Sequence, residues 1–223
     1  MSASYNPMKV ILTQLLAFLA LLGIASCEPK SQTGTPPKNV ILKADLDDKE
    51  GIPAGYQVIT LGGGCYWCVE AVFQQLDGVH SVVSGFTGGH VLNPSYEEVC
   101  SKQSGHVEVI RVVYDPKRLS LGDALAWFWA SHDPTTKDRQ GNDVGPQYAS
   151  AIFYHNEEDK AVIDASIKNA QSEFKKPIVT IVRKAEKFYE APADHQDYYF
   201  QNKSQGYCQY VIKPKLEKLK LQK

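Results

Sequence analysis

The chain carries almost no net charge. Its 24 basic and 25 acidic side chains leave a formal −1, and no basic block interrupts the central part, so the electrostatic footprint of a nucleic-acid binder is missing. Cysteine is sparse. Cys27, Cys65, Cys68, Cys100 and Cys208 are five in 223 residues, too few for the dense disulfide framework of a small secreted domain. Only Cys65 and Cys68 form a close pair, and the six histidines are scattered, so the ligand spacing of a zinc site is absent. Covalent haem needs a histidine where Val69 stands. No Rossmann-type glycine fingerprint follows a strand, which argues against a dinucleotide cofactor. There is no internal repeat. What remains is ordinary globular composition, 43% apolar and 22% charged, with room for one good-sized domain and little else.

The first 26 residues read as an export signal. Lys9 supplies positive charge, Val10 to Ile24 form an apolar run broken by Thr13 and Gln14, and Ala25 and Ser26 precede Cys27. The run is short for a transmembrane span. Leu22-Gly23-Ile24-Ala25-Ser26-Cys27 resembles a bacterial lipoprotein box, which implies cleavage before Cys27 and lipidation of its thiol; an ordinary signal peptide or an uncleaved anchor are the alternatives. Met8 is a second candidate start. Residues 27–55 hold Pro29, Gly34, Pro36, Pro37, Gly51, Pro53 and Gly55 among polar residues, the composition of a flexible tether. A domain of residues 56–223 follows.

That domain is organised around Gly62-Gly63-Gly64-Cys65-Tyr66-Trp67-Cys68-Val69-Glu70. Upstream, residues 56–61 alternate and are β-branched, as in a strand. Downstream, Val69, Val72, Phe73 and Leu76 recur at helical spacing. The glycines make the turn between them. Cys65 therefore sits at the start of a helix, where unpaired N–H groups and the positive end of the helix dipole favour a thiolate, the nucleophilic form. The alternative is a buried structural cysteine.

Further along, strands are expected at Val79 to Phe86, His106 to Tyr114, Gln147 to Tyr154 and Ile178 to Val182. Ser95 and Glu98 form a capping box for a short helix carrying Tyr96 and Cys100. Ser120 opens a helix that buries Leu121, Leu125, Phe128 and Trp129. Asp133 to Pro146 is a turn-rich loop, and Asn156 caps a helix reaching about Phe174. Ala193 to Asn202 is a short helix. The tail is loop-like from Gly206, then ends in a basic helix, Lys213 to Lys220. Irregular alternation with short connections gives an α/β (α+β) two-layer fold: a mixed β-sheet with flanking helices and a loop-rich C-terminal tail.

Within the strand at 106–114, Glu108, Ile110 and Val112 share one face, and the opposite face is also largely apolar. A carboxylate in such a central strand is either ion-paired or pushed toward its neutral, proton-donating form. Glu70, five residues after Cys65, is rotated well away around the helix and reads as a helix-start or surface residue.

Gly64-Cys65-Tyr66-Trp67 with Glu70 resembles the nucleophile motif of the peptide methionine sulfoxide reductase A family. Further matches follow in order: Gly85-Phe86-Thr87-Gly88-Gly89, Asn93-Pro94-Ser95-Tyr96, Gly105-His106-Val107-Glu108, Gln140-Gly141-Asn142-Asp143 with Gln147-Tyr148, and Gly206-Tyr207-Cys208. The resemblance covers roughly residues 56 to 212. It implies thiol-dependent reduction of methionine S-sulfoxide in proteins or peptides. Cys65 attacks the sulfoxide sulfur, Glu108 protonates the oxygen, and Tyr96 and Tyr148 donate to it. Tyr66 and Trp67 hold the methyl group, and Asp143 lines the pocket. Cys208 resolves the resulting sulfenic acid, and a thioredoxin-like reductant restores the thiols. No metal or organic cofactor is implied, and a monomer is expected, touching a membrane only through the lipid.

Two residues depart from the family pattern, which usually has Phe at the position of Tyr66 and a small residue at that of Cys68. Cys68 neighbours Cys65 on a helix and can reach disulfide geometry, so the relay either ends at Cys208 or runs through Cys68. Cys100 reads as structural. Two rival functions remain: a thioredoxin-like oxidoreductase using Cys65 and Cys68, and a lipid-anchored binding module without turnover.

Overall fold

The computed structural model describes residues 52–221. The export signal, Cys27 and most of the tether lie outside the described residues. β1 (Gln57–Gly63) runs through the middle of the sheet and leads into α1 (Tyr66–Phe73). The next elements are β2 (Val79–Thr87), α2 (Tyr96–Cys100), β3 (Val107–Tyr114) and α3 (Leu121–Ser131). A small hairpin of β4 (Arg139–Gln140) and β5 (Asp143–Val144) precedes β6 (Ser150–Tyr154) and α4 (Asp159–Ala170). The chain closes with β7 (Ile181–Lys184), β8 (Tyr189–Glu190), α5 (Tyr198–Gln201) and α6 (Lys213–Lys218).

Among the described residues six strands form one sheet in the order β7-β6-β1-β3-β2-β8. Every pair is antiparallel except β6 with β7, so the sheet is mixed, as the sequence pattern implies. β3 lies between β1 and β2, and both of its faces are covered. Ile110 and Val112 enter the main core with Val69 and Phe73 of α1, Leu125 and Phe128 of α3, Ile163 of α4 and Leu216 of α6. Val107 and Val109 enter a smaller cluster with Ala151 and Phe153, against which Ala185 and Phe188 pack. Each fully buried large apolar side chain contributes roughly 1.5–3 kcal/mol, which is why β3 tolerates a single buried carboxyl, Glu108, on its main-core face.

Local signals explain the helix starts. The Ser95 hydroxyl accepts from the Glu98 N–H at 3.2 Å, and the Glu98 carboxylate accepts from the Ser95 N–H at 2.8 Å, so the expected capping box is present. Ser120 caps α3 by accepting from the Asp123 N–H at 3.1 Å, and Leu121, Leu125, Phe128 and Trp129 are its buried stripe.

Four boundaries differ from the sequence reading. β6 starts at Ser150 rather than Gln147, because Pro146 to Tyr148 form a 3-10 turn closed by the Tyr148 N–H on the Gly145 carbonyl. β7 starts three residues later than expected: the Ile178 N–H is taken by the Gln171 side chain and the Val179 N–H by the Pro134 carbonyl, so neither joins the ladder. α4 starts at Asp159, since Asn156 closes a preceding turn with its carbonyl on the Asp159 N–H. Finally, Cys208 to Ile212 form a wide π-helical turn running straight into α6. The loop-rich part of the tail lies before Cys208, and Cys208 itself is on a helix.

Candidate active site

The site forms where the end of β1 meets the beginning of β3. Gly64 carries φ +90, and a Cβ there would lie 2.6 Å from both Cβ and Cγ of Gln140, so the turn between strand and helix requires glycine. Cys65 is the N-cap of α1 and only 8% exposed. Glu108, the second residue of β3, projects on the face that holds α1 and is 1% exposed. Its Oε2 accepts a hydrogen bond from the Tyr66 N–H at 3.2 Å. One of the four unpaired N–H groups at the helix start is thereby satisfied by a carboxyl group, immediately beside the cysteine.

Three cysteines, Cys65, Cys68 and Cys208, belong to the same buried cluster. Burial pushes the Cys65 thiol up, and its hydrogen bond with Cys68 and the charges of Glu108 and Asp143 act in the same direction. Cys68 behaves oppositely: the hydrogen bond from Cys65 holds its thiol down at about 6 against burial, with help from Lys215 and Tyr207. The first free N–H of the helix, that of Tyr66, is engaged by Glu108. Cys208 is fully buried, and burial followed by the nearby Cys68 raises its thiol.

Tyr207 ties these groups to the hairpin. Its hydroxyl donates to Asp143 Oδ2 at 2.9 Å and lies 3.5 Å from Cys68 Sγ. Burial pushes the carboxyl of Asp143 up. An aromatic wall begins with the two residues that follow Cys65, Tyr66 and Trp67, and the Trp67 ring also meets Tyr207 edge-on. Tyr66 is 1% exposed, and its hydroxyl hydrogen-bonds His195 Nδ1 at 2.6 Å. Trp67 Nε1 donates to the His195 carbonyl at 3.1 Å, and its ring stacks on Tyr198 with centroids 3.7 Å apart and planes 9° apart. The Tyr96 ring meets His195 edge-on at 4.6 Å. Burial, reinforced by Glu108 and Cys65, raises the Tyr66 hydroxyl far above its ordinary value, and it stays a phenol. A cleft of about 430 Å3 lined by Phe86, Tyr96, His195 and Pro192 opens against this wall.

The structure thus brings Cys65, Cys68, Glu108, Tyr66, Trp67, Tyr96, Asp143 and Cys208 into one region. Tyr148 packs against the same core from the 3-10 turn before β6, and Cys27 lies outside the described residues. Glu70 is neither at the helix start nor on the surface. It is completely buried and accepts from Ser84 Oγ at 3.0 Å, the Asp197 N–H at 3.0 Å and the Tyr198 N–H at 3.1 Å. Burial pushes its carboxyl up to about 7 against the pull of those donors. Sequence reasoning also missed His195 and Tyr198. The signal was a lone histidine and two tyrosines packed into residues 195–199, a stretch that shows only as a short helix.

Known proteins resemble this chain closely. The family model described as "Peptide methionine sulfoxide reductase" matches residues 57–223. The protein of Rhodopirellula baltica called peptide methionine sulfoxide reductase MsrA 1 is 47% identical over 164 residues, which cover 74% of this chain and 85% of that protein. The MsrA protein of Leptospira borgpetersenii is 51% identical over 159 residues, 71% of this chain and 90% of its own length. Among solved structures, reduced Mxr1 from Saccharomyces cerevisiae superposes with a TM-score of 0.67 at 30% identity, covering 70% of this chain and 91% of that one. Methionine sulfoxide reductase A of Corynebacterium diphtheriae gives 0.63 at 32% identity, covering 71% and 80%.

Proposed function

The chain belongs to the peptide methionine sulfoxide reductase family and reduces methionine S-sulfoxide to methionine; from that premise we propose that Cys65 is its nucleophile and Glu108 its general acid. The observation that carries this assignment is the hydrogen bond from the Tyr66 N–H to Glu108 Oε2, which puts a buried carboxyl next to the cysteine at a strand–helix junction. The Cys65 thiolate attacks the sulfoxide sulfur. Glu108 supplies the proton that the oxygen takes on, Tyr96 and Tyr148 donate to that oxygen as charge develops, and the rings of Tyr66 and Trp67 receive the methyl group. The protonated oxygen then passes as hydroxyl from the substrate sulfur to the Cys65 sulfur as the bond between the two sulfurs breaks, so methionine departs with both electrons of its restored lone pair and Cys65 is left as a sulfenic acid.

Cys208 then condenses with that sulfenic acid, releasing water and forming a disulfide that a thioredoxin-like dithiol protein reduces. The shared hydrogen bond between Cys65 and Cys68 favours a second reading, in which Cys68 condenses first and Cys208 takes over the disulfide. The export signal and lipoprotein box of residues 9–27 support anchoring of the enzyme to a bacterial cell envelope through a lipid on Cys27, facing the periplasm if the cell has an outer membrane.

The deciding assay is reduction of a methionine sulfoxide peptide by the domain with dithiothreitol. Wild type is active and Cys65→Ser is inactive even at excess dithiothreitol, because no thiolate remains. Reduction of insulin disulfides without sulfoxide reduction would instead indicate a thiol-exchange enzyme, and neither activity would indicate a binding module. For the anchor, the mature wild-type chain begins at Cys27 and carries lipid mass that Cys27→Ser lacks; a different mature N-terminus overturns it.

A further inference from the structure

Glu70 has no place in the chemistry above, yet it is fully buried on the helix that carries Cys65. No described salt bridge includes it. Its carboxyl accepts from three neutral donors. A buried carboxyl group is costly to keep unless hydrogen bonds compensate it. Two of the donors are successive backbone N–H groups, those of Asp197 and Tyr198. They converge on one carboxyl because Asp197 adopts φ 52, a left-handed conformation that few residues other than glycine take up and that aspartate tolerates.

The segment so held supplies the aromatic wall. His195 meets the Tyr66 hydroxyl and, through its carbonyl, the Trp67 indole N–H. Tyr198 covers the face of Trp67. A second attachment is independent of Glu70: the Gln196 side chain accepts from the Ser84 N–H at 2.9 Å and donates to the Ser84 carbonyl at 2.9 Å. Gln196 keeps the segment on the sheet edge, and Glu70 fixes the turn that aims the two rings.

We propose that Glu70 is a positioning residue, which acts through the backbone of Asp197 and Tyr198 to set the His195 and Tyr198 rings as one wall of the pocket for the sulfoxide methyl group. The inference rests on the reductase reading, and it makes Glu70 a determinant of substrate binding and not of proton transfer. In Glu70→Gln the amide offers one acceptor and turns an N–H toward donors, so at least one of the two backbone hydrogen bonds is lost while the Gln196 attachment remains.

The test is steady-state and single-turnover kinetics on a methionine sulfoxide peptide with dithiothreitol. Glu70→Gln raises KM roughly ten-fold, as expected for losing a buried hydrogen bond, and leaves the saturating first-turnover rate within about two-fold of wild type. In a Tyr198→Ala background the same substitution adds little to KM, because the wall it positions is already gone. An unchanged KM in folded Glu70→Gln overturns the proposal. So does a loss in the first-turnover rate at constant KM, or a KM effect that persists in full without Tyr198. If Glu70→Gln does not fold, Gln196→Ala loosens the same segment at its other attachment, on the buried Ser84 backbone, and must raise KM; no change there overturns the proposal. An inactive wild-type enzyme would instead defeat the reductase reading.

Discussion

The Tyr66 N–H lies 3.2 Å from Glu108 Oε2, and this hydrogen bond spans two elements that are 42 residues apart in the chain. It fixes the carboxyl of β3 to the first residue of α1, one peptide unit from Cys65. Glu108→Gln keeps the shape and an acceptor for that N–H but cannot deliver the proton. The first-turnover rate at neutral pH falls about 10²–10⁴-fold, the usual contribution of a general acid, while KM changes little. A rate equal to wild type would remove Glu108 from the mechanism.

The turn before Cys65 gives a structural prediction. Gly64→Ala must hold a side chain at φ +90 with its Cβ against the Gln140 stem. The conformational cost alone is about 1–2 kcal/mol, and the contact adds to it, so the melting temperature falls by roughly 4–8 °C. Gly122→Ala in α3 is the control: its nearest neighbour to a new Cβ is 3.8 Å away, and helix propensity makes it neutral or stabilising by up to about 1 kcal/mol. Thermal unfolding of both variants checks this, and a Gly64→Ala protein as stable as the control would contradict the turn geometry.

Much of this architecture was legible because the signals were local. The Ser95–Glu98 capping box, the Ser120 cap and the stripe of α3 each act within a few residues, and the structure has all three. Glu108 stood out because an ionisable residue interrupts an apolar face. What sequence reading missed depends on contacts between distant segments. β8 is two residues long and exists only as a partner for Gly85 and Phe86. The β4–β5 hairpin is equally short. Glu70 is buried because Ser84 and residues 197–198 close over it, and helical periodicity alone turned it toward the surface. His195 becomes informative only once Tyr66, Trp67 and Tyr96 surround it.

Burial of Glu70 also sets a pH dependence. Its carboxyl is raised from an ordinary 4.5 to about 7, with burial as the main cause and Asp197 as the nearby like charge. Between those values the folded protein retains a proton that the unfolded chain releases, so wild-type stability is lost as pH rises from 4.5 through 7. Glu70→Gln has no such titration. The stability of the variant minus that of wild type therefore grows with pH across this window, by at most roughly 3 kcal/mol. Taking the difference removes His132, whose depressed value of about 4 makes both proteins lose stability as pH falls. Urea unfolding at pH 5 and pH 8 measures it, and a flat difference would mean Glu70 ionises normally.

The order of disulfide exchange among the three clustered thiols is a further prediction to test. Reducing the first sulfoxide needs only Cys65, so Cys208→Ser keeps a single turnover. Presenting a disulfide to a thioredoxin-like partner needs a second thiol, so in Cys208→Ser reductant-driven cycling by such a partner drops sharply, and dithiothreitol, being small, restores part of it. Cys208 is fully buried at the start of the π-helical turn, in the same core cluster as Cys65 and Cys68. Cys68 already shares a hydrogen bond with Cys65. If Cys208 resolves directly, Cys68→Ser has little effect on cycling. If Cys68 comes first, Cys68→Ser slows disulfide formation, and Cys208→Ser accumulates a Cys65–Cys68 bond. Peptide mapping after one turnover without reductant distinguishes them: a Cys65–Cys208 crosslink in the wild type supports direct resolution, a Cys65–Cys68 crosslink refutes it, and a mixture containing Cys68–Cys208 establishes sequential exchange.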